Sequence, residues 1–204
     1  MAAPVGLDRD AVVGAAVEVL EGAGRVDAVS LRLVAEQLGV RVQSLYAHVD
    51  GADGLRHALA LRGLDALAAT LTEAAIGRAG PDAVAAIVRA YLAFAADHPG
   101  LWDATLTPPG DDPELVAAMG AVTRPLDLVL ASAGFDRTEA THWYRIVFAT
   151  IHGFSVLRRD GTLTLDADPD DTVERIVAMF TRELGEGAPP PPPTPPARRR
   201  AARR

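Results

Sequence analysis

The run Arg41-Val42-Gln43-Ser44-Leu45-Tyr46-Ala47-His48-Val49 sets hydrogen-bonding heads among apolar side chains at helical spacing. On one short helix, Arg41, Gln43, Ser44, Ala47 and His48 share the outward side, with Val42 at its rim, while Leu45 and Val49 face inward. The outward set suits the edges of base pairs. Glutamine meets adenine with two hydrogen bonds, arginine meets guanine in the same way, and serine reaches a base or a phosphate. Such chemistry is recognition, and it needs a rigid support that holds these heads at the depth of a major groove.

The preceding residues read as that support. Ser30 can cap a short helix with Leu31, Val34, Ala35 and Leu38 on one side. Ala35 is the small residue needed where a second helix crosses, and Gly39 stands where a left-handed turn residue is wanted. Val40 then pins the corner into a core, giving a helix-turn-helix pattern. Upstream, Asp8 caps a helix with Val12, Val13, Ala16, Val17 and Leu20 on its apolar face, stopped at Gly22-Ala23-Gly24. Any three short helices with a glycine turn share part of this pattern, so a purely structural role stays open at this level.

Composition bounds the alternatives. The chain has 204 residues, 49% hydrophobic and 23% charged, and no cysteine, which excludes disulfides, cysteine-based zinc sites and thiol nucleophiles. No apolar run of membrane-spanning length is expected, nor a secretory leader, so a soluble cytoplasmic protein is predicted. The net charge of −7 argues against strong general attraction to nucleic acid, and residues 1–63 hold six Arg against eight acidic side chains. All basic residues are Arg, a bias that fits genome composition as well as it fits phosphate binding.

Helical periodicity continues to the C-terminal end, with a long helix from about Asp53 to Ile76 and another opened by Pro81 and closed at His98-Pro99. A third follows Asp112-Pro113, with a kink expected at Pro125. Asp136 and Glu139 open a fourth that ends near Asp160, and Asp168-Pro169 opens the last. The result is an all-α protein of about nine helices. An N-terminal three-helix bundle (1–52) precedes a larger helical domain (53–185) and a Pro- and Arg-rich tail (186–204) expected to be disordered. Of the ten aromatic Phe, Trp and Tyr residues only Tyr46 precedes residue 90, so flat side chains for a cavity or a dimer seam lie in the larger domain.

Catalysis finds little support. His98, His142 and His152, even with Asp97 and Asp103 nearby, lack the spacing of metal ligands, and neither a glycine-rich phosphate loop nor Gly-x-Ser-x-Gly is present. Ser132 sits at a helix end with no base beside it. No enzyme, metal or cofactor is expected.

Val34-Ala35-Glu36-Gln37-Leu38-Gly39-Val40 followed by Ser44-Leu45-Tyr46-Ala47-His48-Val49 resembles the signature of the TetR family of transcriptional regulators. The likeness is close over about residues 8–60 and looser beyond. There, Tyr91-Leu92-Ala93-Phe94-Ala95, His98-Pro99-Gly100-Leu101-Trp102 and His152-Gly153-Phe154 resemble the subgroup named for Trp, His and Gly residues. The resemblance implies a base or phosphate contact from Arg32, base reading by Val42, Gln43 and Ser44, and phosphate contacts from Tyr46 and His48; Ser30 and the outward Arg41 complete the set of DNA-binding candidates. Two departures bear on affinity: Ala52 stands where Lys is usual, and Val49 where Phe is frequent.

The resemblance further implies an apolar effector cavity, for which Phe94, His98, Trp102, Met119, Trp143, Phe148 and His152 are the candidates. It also implies a homodimer built on the last two long helices through Ile146, Ile151 and Val156 and through Ile176, Val177 and Phe180. The expected activity is that of a ligand-responsive repressor gripping a palindromic operator in double-stranded DNA. The competing reading is a helical small-molecule-binding or interaction protein whose N-terminal motif only stabilises the fold.

Overall fold

The computed structural model describes residues 6–185; the Pro- and Arg-rich tail lies outside them. The described residues form nine α-helices and no strand. α1 (Arg9–Ala23), α2 (Leu31–Leu38) and α3 (Val42–Leu45) precede a 25-residue α4 (Gly51–Ala75). α5 (Gly80–Asp97), α6 (Pro99–Ala104), α7 (Pro113–Ser132), α8 (Arg137–Arg159) and α9 (Pro169–Gly185) follow.

Local signals set the ends of these helices. The Asp8 carboxylate accepts from Ala11 N at 2.8 Å, the Ser30 hydroxyl from Leu33 N at 3.3 Å, and Asp136 from the N–H groups of Thr138 and Glu139. Gly39, at φ +66°, closes α2 in the left-handed region that a side chain would disfavour. Three expectations shift. α3 is a single turn rather than a helix to Val49, because His48 and Val49 both turn their N–H groups onto the Leu45 carbonyl. The additional helix is α6, at a place where only a break was expected, while α7 is one helix with Pro125 inside it. α7 is also long and apolar enough to cross a membrane by length and composition, although no such run was anticipated; in this fold it packs along α4 and α5 and buries Leu115, Leu126, Val129 and Leu130.

Two main cores result. The first joins α1, α2, α3 and the start of α4 around Val12, Ala16, Leu20, Val34, Leu45 and Leu59. The second gathers α4, α5, α7, α8 and α9 around Val84, Val88, Trp102, Leu130 and Phe180. α4 feeds both, Leu55 and Leu59 entering one and Leu67 and Leu71 the other.

The short α6 binds the two cores together. Ala104 belongs to the first core and Trp102 to the second. A Cβ on Gly100 would run into the Leu20 carbonyl of α1, and one on Gly63 would lie 2.5 Å from the Leu101 carbonyl oxygen. The Glu21 carboxylate of α1 accepts from Gly100 N at 3.3 Å and Leu101 N at 3.1 Å, satisfying free N–H groups at the start of α6. Asp103 accepts from Val26 N at 2.8 Å and, through its other oxygen, from Arg159 at 2.6 Å; the two side chains are only 12% and 16% exposed. Asp103, considered above as a metal ligand, thus serves as a clamp between α6, α8 and the turn before α2. Asp103→Asn should lower stability by about 1–3 kcal/mol through the lost charge-assisted bond, read as a fall in the thermal midpoint.

The apolar faces of α8 and α9 divide differently from expectation. Ile151, Ile176, Val177 and Phe180 are buried in this chain's own core and so are unavailable to a partner. Val156 is half-buried against the same core, whereas Ile146 is exposed together with Leu157 and Met179. Helical geometry explains the split: Trp143, Val147, Ile151 and Phe154 follow one stripe, and Ile146 projects from another.

Candidate nucleic-acid interface and effector cavity

α3 is held from beneath by Leu45, which is fully buried against α1 and α2, and from behind by buried Val49. α2 is itself fixed to α1 by its buried Leu31, Val34 and Ala35 and by a 2.7 Å hydrogen bond from the Gln37 amide to Glu18. On this support Arg41, Gln43 and Ser44 are exposed, Tyr46 is 60% exposed, and Val42 and His48 are half-buried at the rim. The turn therefore presents the residues expected of a reading helix to solvent. Two of the candidates have other partners as well. The Ser30 hydroxyl caps α2, and Arg32 lies 3.3 Å from Glu36 in an exposed pair that a phosphate can replace at little cost. Ala52 is exposed at the start of α4 and offers no cation there.

In the second core, a cavity of about 360 Å³ opens between α4, α5, α7 and α8. One wall is aliphatic, formed by Leu64, Leu67, Met119 and Val122, and the other is aromatic. Tyr144, Phe148 and His152 stand one helical turn apart on α8 as near-parallel rings, with centres 5.9 and 5.3 Å apart. Tyr91 meets Phe148 edge-on, and the Trp102 indole lies 5.3 Å from the His152 ring. The Trp102 indole N–H donates to the hydroxyl of cavity-lining Tyr91 at 2.9 Å, and the Arg159 guanidinium lies 5.3 Å from the indole centre. Contacts thus run without a gap from the cavity through Trp102, Arg159 and Asp103 to the backbone of Val26, just before α2.

Residues 84–180 match the family described as tetracyclin repressor-like, C-terminal domain. An uncharacterized HTH-type transcriptional regulator of Mycobacterium tuberculosis, Rv0681, is 35% identical over 92% of this chain and 88% of its own length. This chain belongs to the TetR family. Among solved structures, a protein of unknown function from Rhodococcus sp. RHA1 is similar at a TM-score of 0.74 and 28% identity, over 88% of this chain and 96% of that one. The TetR family transcriptional regulator PfmR of Thermus thermophilus shares the fold at a TM-score of 0.63 and 16% identity, over 84% and 97% of the two chains. This chain is a DNA-binding transcriptional regulator rather than an enzyme.

The cavity of this TetR-family chain holds only part of the set drawn from its sequence. Met119, Phe148 and His152 line it, and Trp102 stands directly behind His152. Phe94 is buried elsewhere, with His98 against it at 5.2 Å, and His98 is exposed at the α5–α6 junction near Glu21. Trp143 fills the core between Phe135 and Phe180. It is one residue from Tyr144 and hence about 100° around α8, which points it away from the cavity. Tyr91, Thr105 and Leu106 line the cavity without having been proposed for it. The spacing of residues 144, 148 and 152, each four apart, was a readable sign of one aromatic stripe.

Proposed function

We propose that the chain is a ligand-responsive repressor that binds a near-palindromic operator as a homodimer in the cytoplasm. Residues 1–52 act as the DNA-binding unit, and residues 53–185 sense the effector and pair the subunits. The observation that carries the reading is α3: Arg41, Gln43 and Ser44 are exposed side by side over a fully buried Leu45. That arrangement suits direct readout in a major groove, with Tyr46, His48, Ser30 and Arg32 placed nearby to hold phosphates. Pairing is assigned to the α8–α9 face, where exposed Ile146, Leu157 and Met179 give apolar surface for a partner copy. The contact between Trp102 and His152, followed by Gly153, supports membership of the subgroup named for those residue types.

An effector in the cavity would bear on α6 through Thr105 and Leu106, and α6 is tied to the DNA-binding unit through Gly100, Glu21 and Asp103. Its influence on DNA binding is limited to the difference between its affinities for the DNA-bound and the DNA-released states of the protein. Selecting bound fragments from random DNA tests the operator claim. The expected result is a symmetric consensus with half-sites one helical turn apart, about 34–36 Å; an enriched sequence without symmetry would rule out dimeric reading. Because the N-terminal unit carries more acidic than basic side chains, phosphate contacts should be few. About three per half-site predict a slope of about −5 for log affinity against log salt, measured by gel shift.

A further inference from the structure

We infer that the cavity takes an uncharged, flat aromatic molecule of about two or three fused rings carrying a carbonyl or ether oxygen. The inference builds on the effector reading above and adds the chemical class. Shape is the first argument. The Tyr144, Phe148 and His152 rings form one continuous aromatic stripe, with Tyr91 edge-on to Phe148, and Leu64, Leu67 and Val122 add aliphatic walls to the same cavity. A flat ring system between those walls gains both dispersion and ring–ring contacts. The volume, about 360 Å³, lies at the small end of roughly 300–1,000 Å³ for ligand pockets.

Charge is the second argument. No Asp, Glu, Arg or Lys lines the cavity. Arg159, the cation against the Trp102 ring, is already paired with Asp103 at 2.6 Å and Asp160 at 3.0 Å. Burial raises the phenols of Tyr91 and Tyr144, the latter to about 12, and burial together with the charge of Arg159 lowers the His152 imidazole below its ordinary range. At neutral pH the lining is therefore uncharged. A charged ligand would lose its hydration there without compensation.

Free hydrogen-bonding capacity is the third. Tyr91 accepts from Trp102, which leaves its own O–H to donate, the Tyr144 phenol is a second donor on the lining, and His152 Nδ1 is buried without a partner among the described residues. Thr105 has already committed its hydroxyl to the Trp102 carbonyl at 2.7 Å. Two phenol donors beside an apolar slot call for an acceptor oxygen at the edge of the ligand.

The test is calorimetry on the full-length protein with 9-fluorenone, with fluorene, which differs only by lacking the carbonyl, and with decanoate. Fluorenone should bind about tenfold more tightly than fluorene, the value of one hydrogen bond, and more tightly than decanoate. Tyr144→Phe or Tyr91→Phe should bring fluorenone close to fluorene, and Val122→Phe, which fills the slot, should weaken both while the circular dichroism spectrum is unchanged. Decanoate binding more tightly than fluorenone, no fluorenone binding up to its solubility limit, or a carbonyl preference that survives both tyrosine exchanges would overturn the inference. Binding is read without DNA, which separates the two claims. Fluorenone that binds without altering DNA affinity upholds the ligand class and removes the effector role. An aliphatic acid that releases DNA while fluorenone stays inert removes the class and keeps the role.

Discussion

Replacing Gln43 and Tyr46 together by alanine should abolish specific DNA binding while leaving the fold intact. Each specific base contact discriminates by about 1–3 kcal/mol, and a symmetric dimer loses it in both half-sites, giving about 30-fold to 10⁴-fold weaker binding. Loss of the Tyr46 hydroxyl adds a further, sequence-independent decrement. Both side chains are exposed, so the thermal midpoint should move by no more than the small change expected of a surface substitution. The pairing of results is what discriminates. Gel shifts against the selected operator, run beside thermal melts, should show lost affinity at unchanged stability. Unchanged affinity would mean that α3 is only part of the scaffold. A control at Gln37 should behave differently, because its amide bonds Glu18 of α1 at 2.7 Å and so supports α2 rather than facing DNA.

Gly100→Ala should produce the largest loss of stability of any Gly→Ala exchange among the described residues. The added Cβ would collide with the Leu20 carbonyl and lie 2.9 Å from Glu21 N, and both obstacles are backbone of α1 rather than a side chain that can rotate away. α6 would have to withdraw, stretching the bonds from Gly100 N and Leu101 N to Glu21. Overpacking against backbone predicts a cost of about 2–4 kcal/mol, or a fall of about 5–10 °C in the thermal midpoint. Gly14→Ala, with no atom near its added Cβ and a helical backbone, is the matched control and should be neutral to mildly stabilising. If Gly100→Ala melts with the parent protein, the close approach of α6 to α1 is not as tight as described. The contrast also isolates function, since the same helix joins the cavity wall to the DNA-binding unit.

The helix-turn-helix was legible residue by residue because its determinants are local. Ser30 caps within three residues, Gly39 turns within one, and the inward positions of Leu45 and Val49 follow from helical period alone. The cavity was legible only in part. Aromatic content placed it in the right half of the chain, but Trp143 and Tyr144 look equivalent as letters, and 100° of rotation sends one into the core and the other to the cavity wall. α6 was missed because six residues behind a His-Pro break have too little period to reveal a helix, and its stability comes from Glu21, 79 residues earlier.

By itself, then, the amino-acid order determined the capped and amphipathic helices, the outward polar face of α3 and the absence of thiol chemistry, since these depend on neighbours within a turn or on residue type alone. Only the tertiary structure decided that α6 would lock both cores, that Asp103 would clamp Val26 to Arg159, and that Ile151 and Phe180 would serve this chain's own interior instead of a partner's. Those outcomes rest on contacts between segments far apart in the chain, whose energies depend on packing and burial that no local pattern encodes.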